Sequence, residues 1–254
     1  MRVLVAAACA LLLTACASTT TQSGFLTSYE GLTKREDTVR AAVAQRQDAT
    51  ALQAIRRIGV EPTVFAPGAD VTWMSEGERA LLLREADAQL CFELSERYEL
   101  ARDGGDAWVR TAITAVRPTG RVASAASAAA DFFIPGPIGL RVPGTLGALA
   151  AEAEMLDLAG KQLAAISWNR VATPVGTDSP SLSRVGDALQ FVEPFADEAA
   201  KVMTAPGAKS RAVGKPDPCA AYGPRFRPEG FLTKMATGLY VPQTSGARPA
   251  DDGK

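Results

Sequence analysis

Between Arg57 and Met203 the apolar residues switch their spacing repeatedly, and this alternation constrains the fold more than any single motif. Over 57–65, Ile58, Val60, Pro62 and Val64 alternate with Arg57, Gly59, Glu61 and Thr63, the period of a strand with one buried face. Proline cannot donate to a ladder, so Pro62 marks an edge or bulged strand. From Ser75 the period becomes helical. Ser75 and Glu78 have capping-box spacing, in which each side chain satisfies a backbone N–H of the other. Leu82, Ala86, Leu90 or Cys91, and Leu94 then form a buried stripe, with Arg79, Arg84, Glu85, Glu93 and Glu96 outside. Period two returns over 98–102 and 107–117, which flank Asp103-Gly104-Gly105-Asp106 and predict a hairpin. A second hairpin is predicted from 150–158 and 163–171 around Gly160-Lys161. Val185, Leu189, Val192, Ala196, Ala199 and Met203 recur at helical spacing, so 182–203 reads as a helix carrying Pro194. Before the first strand, alanine-rich 36–56 reads as one or two modest helices. The expected class is α+β, a mostly antiparallel sheet of about five strands with two long helices packed on one face.

The start of the chain fixes its expected location. Met1-Arg2 gives one positive charge, Val3 to Leu13 is a short apolar run, and Leu13-Thr14-Ala15-Cys16 brings small residues up to a cysteine. A bilayer-spanning helix needs about 20 apolar residues, so the run is too short for an anchor. The organisation expected is a signal peptide over 1–15, an acylated tether over 16–23, one α+β domain over 24–203 and a Pro/Gly-rich tail over 204–254, partly docked or disordered.

Composition mostly excludes. Lys and Arg number 27 against 28 Asp and Glu, a formal charge of −1 with no basic block, so no nucleic-acid footprint is present. There is no histidine. Ser-His-Asp and Cys-His catalysis, imidazole acid–base chemistry and the commonest zinc ligand sets all require one. Neither a Gly-x-Ser-x-Gly elbow nor a glycine-rich phosphate loop occurs. Cys91 and Cys219 remain once Cys9 and Cys16 belong to the signal. An oxidising compartment permits a bridge between them, but the reading favours Cys91 as a small buried hydrophobe on a helix.

Several segments in order resemble an uncharacterised bacterial lipoprotein family called domain of unknown function 3313. They are the lipobox, Ser23-Gly24-Phe25-Leu26 with Tyr29 and Leu32, Ile58-Gly59-Val60-Glu61-Pro62-Thr63-Val64, Arg110-Thr111-Ala112-Ile113-Thr114, and Glu152-Ala153-Glu154-Met155-Leu156-Asp157 before Gly160. The alanine–serine and Pro-Gly insert after the third strand departs from the pattern. The resemblance implies an envelope lipoprotein with a compact α+β domain, lipid attached at Cys16, and no known activity.

Candidate sites are few. Glu152, Glu154 and Asp157 could contribute to a divalent-cation site, but period two turns Asp157 away, and a solvated face partnered by Lys161 or Arg170 is the preferred reading. The apolar run with Phe132, Phe133, Ile134, Ile138 and Leu140 is either a partner- or lipid-contacting loop or a buried strap. Arg225, Phe226, Arg227, Phe231 and Tyr240 are candidate contacts in the tail for an acidic or carbohydrate partner, but a tail simply docked in a surface groove is the preferred reading. No catalytic residue, metal or cofactor is assigned. The expected function is a lipid-anchored, non-enzymatic scaffold or protein-interaction module at the outer membrane, facing the periplasm, with the membrane and an unknown envelope protein as partners. The alternatives are a binding protein for a lipid or other apolar molecule and, more weakly, a carboxylate-based hydrolase.

Overall fold

The computed structural model describes residues 22–38, 40–102, 105–120, 139–140, 146–173, 175–176 and 178–247 of the chain. Its centre is two long antiparallel pairings. Strand β6 (Ala107–Arg117) pairs with β8 (Ala148–Asp157), and β8 pairs with β9 (Gln162–Val171) across the turn at Gly160. β2 (Ala41–Gln47) extends this sheet beside β9, and β1 (Thr33–Lys34) closes that edge. At the other edge β3 (Arg57–Val60) and β4 (Val64–Phe65) both run parallel to β6, and β5 (Glu99–Leu100) runs parallel to β3. The short strands β7 (Gly139–Leu140) and β10 (Val175–Gly176) form a separate two-stranded sheet.

The expected sheet is therefore corrected: eight strands in one mixed sheet replace about five mostly antiparallel ones. Two local misreadings account for most of this. Ala41–Gln47 is alanine-rich and reads as helix, yet pairing with β9 and burial of Val43 and Ala44 make it a strand; tertiary pairing overrides propensity. The helix there shrinks to α1 (Ala49–Leu52), capped by Asp48. The first predicted hairpin does not form, because β3 lies between β5 and β6. The Asp106 carboxylate accepts from the backbone N–H groups of Arg56 and Arg57 at 2.8 and 2.9 Å, holding the connection against the start of β3. Gly105 passes so close that a Cβ there would lie 2.6 Å from Arg57.

The helix layer is also more varied than two long helices. α2 (Glu76–Ser95) begins at the Ser75–Glu78 capping box, and α3 (Gly186–Val202) packs beside it with Pro194 inside. Three of the five helices among the described residues are short: α1, α4 (Pro228–Thr237) and α5 (Pro242–Ser245). One face of the sheet supplies Val109, Ile113, Ala151, Ala153, Met155, Ile166 and Trp168 to a core shared with Leu82, Leu90, Leu94, Phe191 and Phe195. Alternation along a strand turns the intervening residues, Glu152 and Glu154 among them, to the opposite face.

The cysteines are bridged. Cys91 on α2 bonds Cys219, 128 residues later, and both are buried with Ala88, Phe92 and Ala247. The preference for an unbridged Cys91 is corrected; its burial on a helix and its bond are compatible.

Candidate interaction surface

The segment between Ser23 and Tyr29 lies as a strap across the sheet face opposite the helices. Its donors converge on two carboxylates of β8. Glu152 accepts from the Ser23 hydroxyl at 2.6 Å and the Tyr29 hydroxyl at 2.7 Å. Glu154 accepts from the Thr27 backbone N–H and hydroxyl, each at 2.9 Å, and from Gln162 Nε2 at 2.7 Å. Arg110, one strand away, pairs with Glu154 at 3.0 Å, donates to the Phe25 carbonyl and lies 5.0 Å from the Phe25 ring centre. Both glutamates are fully buried and Leu26 is buried beside them. The solvated face and the Lys161 or Arg170 partners expected for these carboxylates are thus replaced. Arg170 instead pairs with Asp178, and Lys161 reaches Asp48 at 3.1 Å. Asp157 stays apart, accepting from the backbone of Ala159 and Lys161 in the hairpin turn. Among the described residues no group of three or more His, Cys, Asp or Glu side chains could hold a metal ion.

Beyond the strap, the same face opens into a groove of about 470 Å³ bordered by Ser23, Thr114, Arg117, Ala148, Ala150 and Asn169. Thr114 is the residue skipped where the β6–β8 register shifts. Of the apolar run read as a contact loop, Phe132, Phe133, Ile134 and Ile138 lie outside the described residues, as does Cys16. Leu140 is described by its backbone, which pairs with Val175.

The tail is docked on the domain, and its arginines hold it there. Arg225 and Arg227 do not face outward. Arg225 bonds both Asp217 oxygens at 2.9 Å, the Phe92 carbonyl at 3.0 Å and the Ser95 hydroxyl at 2.8 Å, with its guanidinium 4.8 Å from the Phe92 ring centre. This guanidinium holds the Asp217 carboxyl below the usual aspartate range. Arg227 pairs with Glu85 at 3.1 Å and donates to the Ser245 carbonyl at 2.7 Å. Glu85 on α2, read as an outward residue, is consequently buried, and it also accepts from Gln89 and from the Ala247 backbone. Next to these arginines Cys219 is covalently held, and the tail closes at Tyr240, whose backbone N–H donates to the Pro180 carbonyl at 2.9 Å. Burial raises the Tyr240 hydroxyl pKa well above the ordinary tyrosine value.

Phe226, between the two arginines, points out and is 76% exposed. Helix α4 follows and has its polarity inverted. The buried residue of α4 is Gly230, where a Cβ would meet the Ser245 Oγ at 2.6 Å and the Thr244 carbonyl at 3.0 Å. Its large apolar side chains point away: Phe231, Leu232 and Met235 are 61%, 62% and 71% exposed. Positions 231, 232 and 235 share one side of a helix. A surface helix ordinarily turns such a stripe toward its own core. Sequence reasoning picked out Phe226 and Phe231 but missed Leu232 and Met235, whose side of the helix is fixed by the packing of Gly230 against Thr244 and Ser245.

A family model described as "Protein of unknown function (DUF3313)" matches residues 21–199. The chain belongs to the DUF3313 family. The DUF3313 match takes in the strap, the eight-stranded sheet and both long helices as far as Ala199, and the tail that carries α4 follows it. A comparison with curated proteins returned no match. Among solved structures, two PelC dodecamers from Paraburkholderia phytofirmans are similar. One is 10% identical with a TM-score of 0.39, covering 65% of this chain and 98% of that one. The other is 11% identical with a TM-score of 0.34, covering 68% and 99%. The likeness is loose.

Proposed function

We propose that this DUF3313 protein is a lipid-anchored, non-enzymatic interaction module of the bacterial envelope, attached through an acylated Cys16 and facing the periplasm from the outer membrane. The observation that carries the reading is α4, a helix clamped on the domain with its apolar stripe outward, because a contiguous exposed apolar patch marks an interaction surface. Three further features support it. The Leu13-Thr14-Ala15-Cys16 sequence has the form of a lipoprotein signal. The Cys91–Cys219 disulfide suits an oxidising compartment. Finally, Glu152 and Glu154, the carboxylate cluster a hydrolase would use, are occupied in holding the strap.

The mechanism is localisation. Ser23 is pinned to the sheet seven residues after Cys16. At about 3.5 Å per residue the domain would stay within about 25 Å of the anchor. Confinement of this kind raises the effective concentration of whatever the surface meets. The test is fractionation and intact mass of the native protein beside Cys16→Ser. The reading expects an acyl mass increment and membrane retention for the native chain, both lost in the variant. Native protein without the increment would remove the lipid-anchored reading.

A further inference from the structure

We propose that α4 seats on an anionic lipid bilayer surface, so that the domain stands on its tail end. This deepens the interaction-module reading by naming what the apolar stripe meets; the first two observations below stand without the Cys16 anchor, and the third rests on it.

Three observations lead there. First, the stripe is built rather than incidental: Gly230 lets the helix backbone lie against α5, and the disulfide with the Arg227–Glu85 pair fixes the segment that precedes and supports it. Phe226, Phe231, Leu232 and Met235 are therefore presented from a rigid base, the geometry of an interfacial helix whose apolar side enters the headgroup boundary.

Second, the charge is segregated. Residues 204–247 carry six Lys and Arg against Asp217 and Glu229, a net charge of +4 within a chain whose total is −1. Arg225 and Arg227 are consumed inside, but Lys234 on α4 and Lys209 and Lys215 earlier in the tail lie exposed, with Glu229 as the exposed acid of this segment. A segment of net positive charge that carries an apolar helix is attracted to anionic headgroups.

Third, the tether and the tail meet the same end of the sheet. Ser23 borders the groove with Arg117, Ala148 and Val171, where β6 stops, β8 starts and β9 stops. The chain just beyond β6 is tied to the 178–187 connection, since Thr119 N–H donates to the Arg184 carbonyl at 2.7 Å and Gly147 N–H to Asp187 at 2.8 Å. Tyr240, just past α4, is bonded to Pro180 and Ser181 of that same connection. A tether leaving Ser23 toward a membrane would thus bring this end, and the tail with it, to the surface.

The test uses the mature chain carrying Cys16→Ser, without acyl group, in sedimentation with vesicles of phosphatidylcholine alone or with about one third phosphatidylglycerol. The proposal expects partitioning onto the anionic vesicles at least about tenfold above the neutral ones, falling with added salt. Phe231→Ser with Met235→Ser should lower it by about tenfold or more. Resistance of residues 205–247 to limited proteolysis shows that the variant tail is still docked. Equal partitioning of native and variant chains, or no preference for anionic vesicles, overturns the proposal. So does a native chain that ignores vesicles while the same double substitution abolishes a stoichiometric protein complex in detergent extracts; α4 would then be a protein dock. Lack of acylation at Cys16 leaves these vesicle results unchanged, so the two readings fail separately.

Discussion

The strap and the tail are both peripheral segments fastened by buried charge, and they use it in opposite ways. In the strap, neutral hydroxyls and backbone N–H groups reach down to carboxylates of the sheet, and the segment's apolar Leu26 goes under with them. In the tail, the arginines go under and the apolar residues are left outside. One segment therefore seals the domain at one end of the chain and the other displays a surface at the opposite end. Burying an apolar side chain contributes roughly 1.5–3 kcal/mol, so the strap contributes to stability through residues of the kind the tail leaves exposed.

Breaking the tail's ion pair should have the largest effect. Arg227→Ala leaves Glu85 buried without its cation, a change of about 3–5 kcal/mol. Amide exchange over residues 220–247 should accelerate by at least about a hundredfold, with the β6–β9 sheet little affected. Reduction, or Cys219→Ser, comes next: removing a link across 128 residues should lower denaturant stability by about 2–4 kcal/mol. On the strap side, Leu26→Ser should cost about 2 kcal/mol, lowering Tm by roughly 4–8 °C in a chain of this size.

A smaller effect follows from Asp217. Its folded pKa is depressed by Arg225, so its contribution is complete above the unfolded value of about 3.9 and is lost as pH falls through the folded value. Tail exchange rates should be flat from neutral pH down to about 5, after correction for intrinsic chemistry, and rise only in stronger acid. Asp217→Asn should raise the exchange rate at neutral pH and flatten that acid dependence.

How far all this was legible in the sequence depends on how local each cause is. The Ser75–Glu78 box and the alternation of Arg57, Ile58, Gly59 and Val60 are local, and α2 and β3 arise from them; the alternation fails at β4, where Val64 is exposed and Thr63 is buried. Ala41–Gln47 became a strand through its register with β9, more than 115 residues away, which no local propensity expresses. Glu85 is buried by a tail residue 142 positions later, and Glu152 by a hydroxyl 129 positions earlier. Charged residues on a helix or strand read as outward because an unpaired burial is costly; their partners were too distant in sequence to enter the reading. Phe226 and Phe231 stood out as aromatics in a polar tail, but irregular chain has no period to orient its side chains, so sequence alone did not separate the arginines that dock the tail from the aromatics it displays.

On the proposed reading the apolar stripe of α4 serves contact and not stability. The most direct test is the thermal midpoint of a chain carrying Phe226→Ser, Phe231→Ser and Met235→Ser together. Exposed positions change stability by about 0.5 kcal/mol or less each, so the midpoint should stay within about 6 °C of the unsubstituted chain. A fall of about 10 °C or more would mean that these side chains belong to the domain's own packing, and the display account would be wrong.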